Sequence, residues 1–166
     1  MSIPGWVWVV LLSMAPISEL RVGIPLAILI YRYPYLQAYF ICFLANIAVV
    51  PPILLLLSWA ENWLKKYSWG ERLFDWLWGH IRKDKREEML KKYGPIALIP
   101  LVAIPLPVTG AWTGSLLAYL LKLDKLKAFL YIALGVAIAG VIMCAAAAEI
   151  KGLEFLLPKD FDLSRI

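Results

Sequence analysis

Apolar residues fall along the chain in four blocks, and two of the four are interrupted in the middle. Residues 6–17 form the first limb, twelve residues long, which as helix reaches about 18 Å against a hydrocarbon core of about 30 Å. It is too short to span alone. Pro16 and the tetrapeptide Ser18-Glu19-Leu20-Arg21 interrupt the run, and a second limb, residues 23–31, follows with Pro25 where a helix would begin. A short polar link, 32–37, is rich in tyrosine as an interface belt would be. Residues 38–60 are then unbroken, 23 in number, enough to cross a bilayer with some tilt.

After the long polar segment 61–93 the pattern returns. Residues 96–121 are broken by Pro100, Pro105, Pro107 and Gly110, with a limb at 111–121. The linker 122–127 leads to a plain 21-residue span, 128–148, and the tail 149–166 is short and mixed. Setting Pro16 against Pro105 aligns the halves at an offset of 89 to 90 residues: broken run, linker, plain span. The repeat lies in the order of elements, because residue identity between the halves is slight. The chain is therefore read as one membrane domain over 1–166, with repeat 1 at 6–60, a helical linker at 61–94, repeat 2 at 95–148 and a tail.

Composition supports this class. Hydrophobic residues make up 62% and the mean hydropathy is +0.74, whereas soluble domains are about 45 to 50% apolar. The expected fold is an all-α integral membrane protein, an inverted repeat of a re-entrant helical hairpin plus a transmembrane helix, joined by an amphipathic helical segment. A half-membrane limb suits a hairpin, and one crossing per half would turn the second half upside down, as in many secondary transporters. A single broken span per half is the alternative, and charge does not separate the two. Either way the nine basic residues of 61–93 define one side, by twelve against four, and place that segment in the cytoplasm of a multi-pass plasma-membrane protein.

The same charge distribution removes other classes. The net charge of +5 comes from residues flanking apolar runs, as orientation in a bilayer requires, so no nucleic acid is expected as partner. Within 61–93, residues 63–77 mix aromatic and charged side chains in the manner of a helix lying in the interface. Glu87 with Lys91 and Glu88 with Lys92 are pairs of favourable orientation on a solvated helix. His80 has no partner at metal spacing, and Cys42 and Cys144 read as small buried hydrophobes. No metal, cofactor or enzyme chemistry is expected, and the N-terminal run, lacking a basic n-region, reads as retained.

The candidate chemistry lies at the two breaks. A charge at bilayer depth costs roughly 2.5 to 3.5 kcal/mol on insertion scales, so Glu19 and Arg21 must face protein or a wet cavity. Helices starting near 23–25 and 109–111 would turn free N–H groups and their partial positive charge toward the bilayer centre, which favours an anion. Arg21 adds a planar donor fork, Thr109 and Thr113 add hydroxyls, Gly110 and Gly114 allow close backbone approach, and Ser18 and Gly23, on either side of Arg21, join them as substrate-binding candidates. Asn46 reads either as an interhelical hydrogen bond or as a substrate contact. Glu19 is the candidate for coupling to protons, burial and the neighbouring cation pulling its protonation in opposite directions. The structural alternatives are that Glu19 and Arg21 neutralise each other and pin the break, and that Gly110–Gly114 is a helix-packing GxxxG.

Ser-Glu-Leu-Arg-Val-Gly-Ile-Pro at 18–25 and Pro-Leu-Pro-Val-Thr-Gly-Ala-Trp-Thr-Gly at 105–114 resemble the two signature segments of the small multidrug export protein family. That family is thought to be distantly related to the DedA-like (VTT) membrane proteins. The resemblance covers the whole chain in order and length. It implies two opposed re-entrant hairpins, each packed on a transmembrane helix, and from the DedA-like relatives it implies movement of phosphorylated lipid carriers or phospholipids between leaflets. The second hairpin here carries no arginine, where those relatives have basic residues, so only Glu19 and Arg21 carry over.

The expected function is thus a transporter or lipid flippase for an anionic, phosphate-bearing substrate of polyprenyl-phosphate or phospholipid type, with or without proton coupling. Its partners are the bilayer and an anionic lipid or small-molecule anion, and a homo-oligomer is compatible with the chain. Export of drugs, with Glu19 and the eight tryptophans as binders, is one alternative. A non-transporting membrane scaffold is the other.

Overall fold

The computed structural model describes residues 4–64, 93–104 and 109–154. Every regular element among them is helical. The expectations placed on the polar segment beyond residue 64, including His80 and the ion pairs at 87–92, lie outside the described residues, as do Pro105, Pro107 and the tail beyond 154. The elements are α1 (Gly5–Met14), α2 (Glu19–Pro25) running into a π-helical turn (Leu26–Ile30), α3 (Tyr35–Ala48), α4 (Val50–Leu64), a 3₁₀ turn (Gly94–Ala97), α5 (Leu98–Ala103), α6 (Ala111–Leu120) and α7 (Lys125–Glu154). Two stretches are long and apolar enough to cross a membrane, Tyr35–Trp59 and Lys125–Ile150. They contain nearly all of the two plain spans predicted at 38–60 and 128–148.

The chain divides into two compact units, one of Met1–Ala48 with Val136–Ile166, the other of Val49–Gly135. In the first, α1 is stopped by sterics. Ala15 precedes Pro16, and the proline ring disfavours α geometry there, so Ala15 is extended at φ −73, ψ 143. The chain then doubles back. A side chain at Gly5 would meet the Tyr31 ring and one at Gly23 would meet Ser13, contacts placed symmetrically about residue 18, so α1 and the α2–π segment run antiparallel in close contact. On α3, Ala38, Cys42, Ala45 and Asn46 are buried, the spacing of one helical face.

The predicted start of the second limb near 23–25 is moved by the structure to Glu19. Pro25 lies inside the helix at φ −58, ψ −41, angles that continue it. Its missing N–H is followed by the widened turn in which Tyr31 N–H reaches the Leu26 carbonyl at 3.1 Å.

In the second unit the same device recurs. Ile104, before Pro105, is extended at φ −74, ψ 119 and ends α5. A Cβ at Gly114 would come 2.8 Å from Val102 Cγ2, and one at Gly135 would come 2.7 Å from Val102 Cβ, so α5 packs against both α6 and the start of α7. Downstream of each break the chains match closely. Residues 31–50 and 121–140, ninety positions apart, have the same burial class at every position. Arg32 and Lys122, at matching positions, both close the preceding helix in left-handed backbone, φ 58 and 53, where a cation also meets the negative helix end. The following helix starts with Pro34 in one case and in the other with Asp124, whose Oδ1 accepts from Lys127 N–H at 3.0 Å.

Candidate functional site

The turn between α1 and α2 holds the charged tetrapeptide. Ser18 Oγ donates to the Leu12 carbonyl at 2.6 Å, and Glu19 N–H donates to the Ala15 carbonyl at 3.0 Å. These bonds fold the turn back on α1. Glu19 sits at φ 47, the left-handed region a side chain avoids, and is only 6% exposed. Such backbone costs of order 1–3 kcal/mol and persists only where the surroundings impose it. Arg21 is half-buried in the first turn of α2, within electrostatic reach of the Glu19 carboxylate. An acid in strained backbone beside a partly exposed guanidinium is the most chemically loaded place among the described residues.

One helical turn further along α2, Gly23 faces α1 and α3. A Cβ there would strike Ser13 Oγ and approach Cys42 Sγ at 3.2 Å, so this glycine serves close packing of three helices. Asn46, fully buried on α3, donates from Nδ2 to the Ser13 carbonyl at 3.0 Å, an interhelical hydrogen bond. Asn46 Oδ1 and Ser13 Oγ are both buried and have no hydrogen-bond partner among the described residues. The Cys42 thiol beside Ser13 is at most a weak partner for its hydroxyl. Ser13 was not foreseen. A serine ten residues before a glycine looks like nothing in sequence until the chain is folded back between them.

In the second unit, α6 starts at Ala111, as the sequence predicted, with Gly110 as N-cap. Its hydroxyls are spent on the chain itself. Thr109 Oγ1 donates to the Ile104 carbonyl at 2.9 Å, closing the break, and Thr113 Oγ1 accepts from Gly110 N–H at 3.0 Å. Gly114 packs on Val102. Beside this segment, Val49, Pro52, Ile53, Leu56 and Leu57 of the α3–α4 stretch and Trp112 and Leu116 of α6 line an apolar groove of about 440 Å³. Ser18, Glu19, Arg21, Gly23 and Asn46 thus belong to the first unit, and Thr109, Gly110 and Thr113 to the second.

Described residues whose regular elements are all helical, with two membrane-length apolar helices and paired proline-broken segments, have the make-up of a small membrane protein. Residues 19–142 match the sequence model of the family described as "Putative small multi-drug export protein", and the chain belongs to that family. The match runs from Glu19, at the start of the return limb of the first broken segment, through the second broken segment and into the last long helix. Comparison with curated proteins and with solved structures gave no match in either case.

Proposed function

We propose that the protein moves an anionic, phosphate-bearing substrate, a polyprenyl-phosphate or phospholipid headgroup, across the plasma membrane, with Arg21 as binder and Glu19 as the proton-coupling group. The observation that carries this is the buried Glu19 in left-handed backbone beside the half-buried Arg21, at the fold-back of a segment too short to cross. Family membership supports transport in general. In this reading both broken segments are re-entrant hairpins, the halves form an inverted repeat, and 61–94 is cytoplasmic. The doubling back of α1 on α2, the proline breaks at Ala15 and Ile104, and the burial pattern repeated at ninety residues support it. A link to DedA-like lipid translocation would follow from the same picture. The test is reconstitution into vesicles carrying a short-chain fluorescent phosphatidic acid. Wild type is expected to move the probe between leaflets, and Arg21→Ala to insert normally but leave it in place. Movement by Arg21→Ala at the wild-type rate overturns the reading.

A second reading, export of amphipathic drugs, is favoured by the family's description and by the apolar groove under Trp112. It predicts that Glu19→Gln lowers drug resistance of an expressing host while Arg21→Ala does not.

A further inference from the structure

We propose that Ser13 and Asn46 form a buried site for one small, positively polarised ligand, a water molecule or a monovalent alkali cation, held at the junction of α1, α2 and α3. The two residues are fully buried, and the unpartnered atoms, Ser13 Oγ and Asn46 Oδ1, both belong to that one joint. The direction of the asparagine amide is fixed by chemistry. Its neighbour is a backbone carbonyl, so the terminal atom turned to Ser13 must be nitrogen, and the other must be oxygen, which can only accept. Such an oxygen repels an anion and takes a donor or a cation.

A buried polar atom left unmet carries its full desolvation penalty, and two at one joint are best met together. A single water donates to Oδ1 and bonds the serine hydroxyl; an alkali ion binds both oxygens. Gly23 lets α2 pack directly on the joint, since any Cβ there would strike the Ser13 hydroxyl. The site stands apart from any anion at Arg21 and does not depend on the transport reading. It changes the place of Asn46, from a contact for the anionic substrate to one wall of an acceptor site.

The experiment is a double-mutant cycle on the full chain in detergent, following reversible unfolding of wild type, Ser13→Ala, Asn46→Leu and the double variant. Ser13→Ala leaves intact the backbone carbonyl that Asn46 bonds. If one ligand bridges the pair, Ser13→Ala raises the unfolded-to-folded ratio about fivefold, and the same change made in the Asn46→Leu background costs much less. If nothing is bound, Ser13→Ala only removes a hydroxyl met weakly, if at all, by the Cys42 thiol. Equal or greater stability of Ser13→Ala, or strict additivity in the cycle, overturns the proposal. Should Asn46→Leu fail to fold, the sign of Ser13→Ala alone decides. Exchange of sodium for choline chloride at constant ionic strength identifies the ligand. A midpoint shift in wild type that is lost in Ser13→Ala assigns an alkali ion, and its absence, with the cycle still coupled, assigns water.

Discussion

The two broken segments are made by the same device and loaded differently. In each, a residue forced into extended backbone by the following proline stops a short helix, and a basic residue in left-handed backbone closes the return limb. Yet the first turn carries Glu19 and Arg21 and lies one helical turn from two unmet buried oxygens. The second spends both threonine hydroxyls on its own backbone and borders an apolar groove. Shared backbone with divided chemistry teaches that the proline breaks are the scaffold and the polar side chains the payload. Charge at membrane depth is expensive, and on the re-entrant reading proposed above one loaded turn incurs that cost once.

The contrast is broken most sharply at Arg21. Arg21→Ala is expected to slow movement of the phosphate-bearing probe by at least roughly thirtyfold, the scale of truncating a charged contact in a desolvated setting, whereas Thr109→Val in the second segment should do far less. Leaflet-exchange rates in matched vesicles check this, and equal losses would place the payload on both segments. Packing gives the next effect. Valine at Gly23 or at Gly114 overfills a helix contact and should cost about 1–3 kcal/mol, more at Gly23, where a hydroxyl and a thiol both crowd the position. Denaturant titration of the purified variants measures the pair, and the reverse order would show the second segment to be the tighter joint.

Asp124→Ala removes a helix cap with no counterpart at Pro34 and should cost about 1 kcal/mol. The smallest effect sharpens the likeness. Arg32→Gly and Lys122→Gly each relieve left-handed backbone while giving up a favourable charge at a helix end. Their stability changes should agree within about 0.5 kcal/mol, and a larger gap would mean that the matching angles sit in unlike surroundings.

Much of this likeness was legible before the structure. Helix length against bilayer thickness identified the long spans, because an uninterrupted apolar run has one economical conformation in lipid. The prolines located both breaks, since their steric effect on the preceding residue is local. What escaped was set by contacts between distant residues. Nothing near Pro25 says that the helix already begins at Glu19 and tolerates the ring within it. Nothing near Ser13 says that Gly23, Cys42 and Asn46 will close around it. The left-handed angles of Arg32 and Lys122 were missed for another reason: the usual marker for that backbone is glycine, and neither position has one.

One feature of the partition bears on how such a chain can be assembled. Its first unit needs Val136–Ile166 as well as Met1–Ala48, so a polypeptide truncated after residue 64 would lack the strands of sequence that finish it, despite holding an entire half of the pattern. The intact protein carries both ends on one thread, so the first unit cannot be finished until the ribosome has passed Val136 and made the last helix.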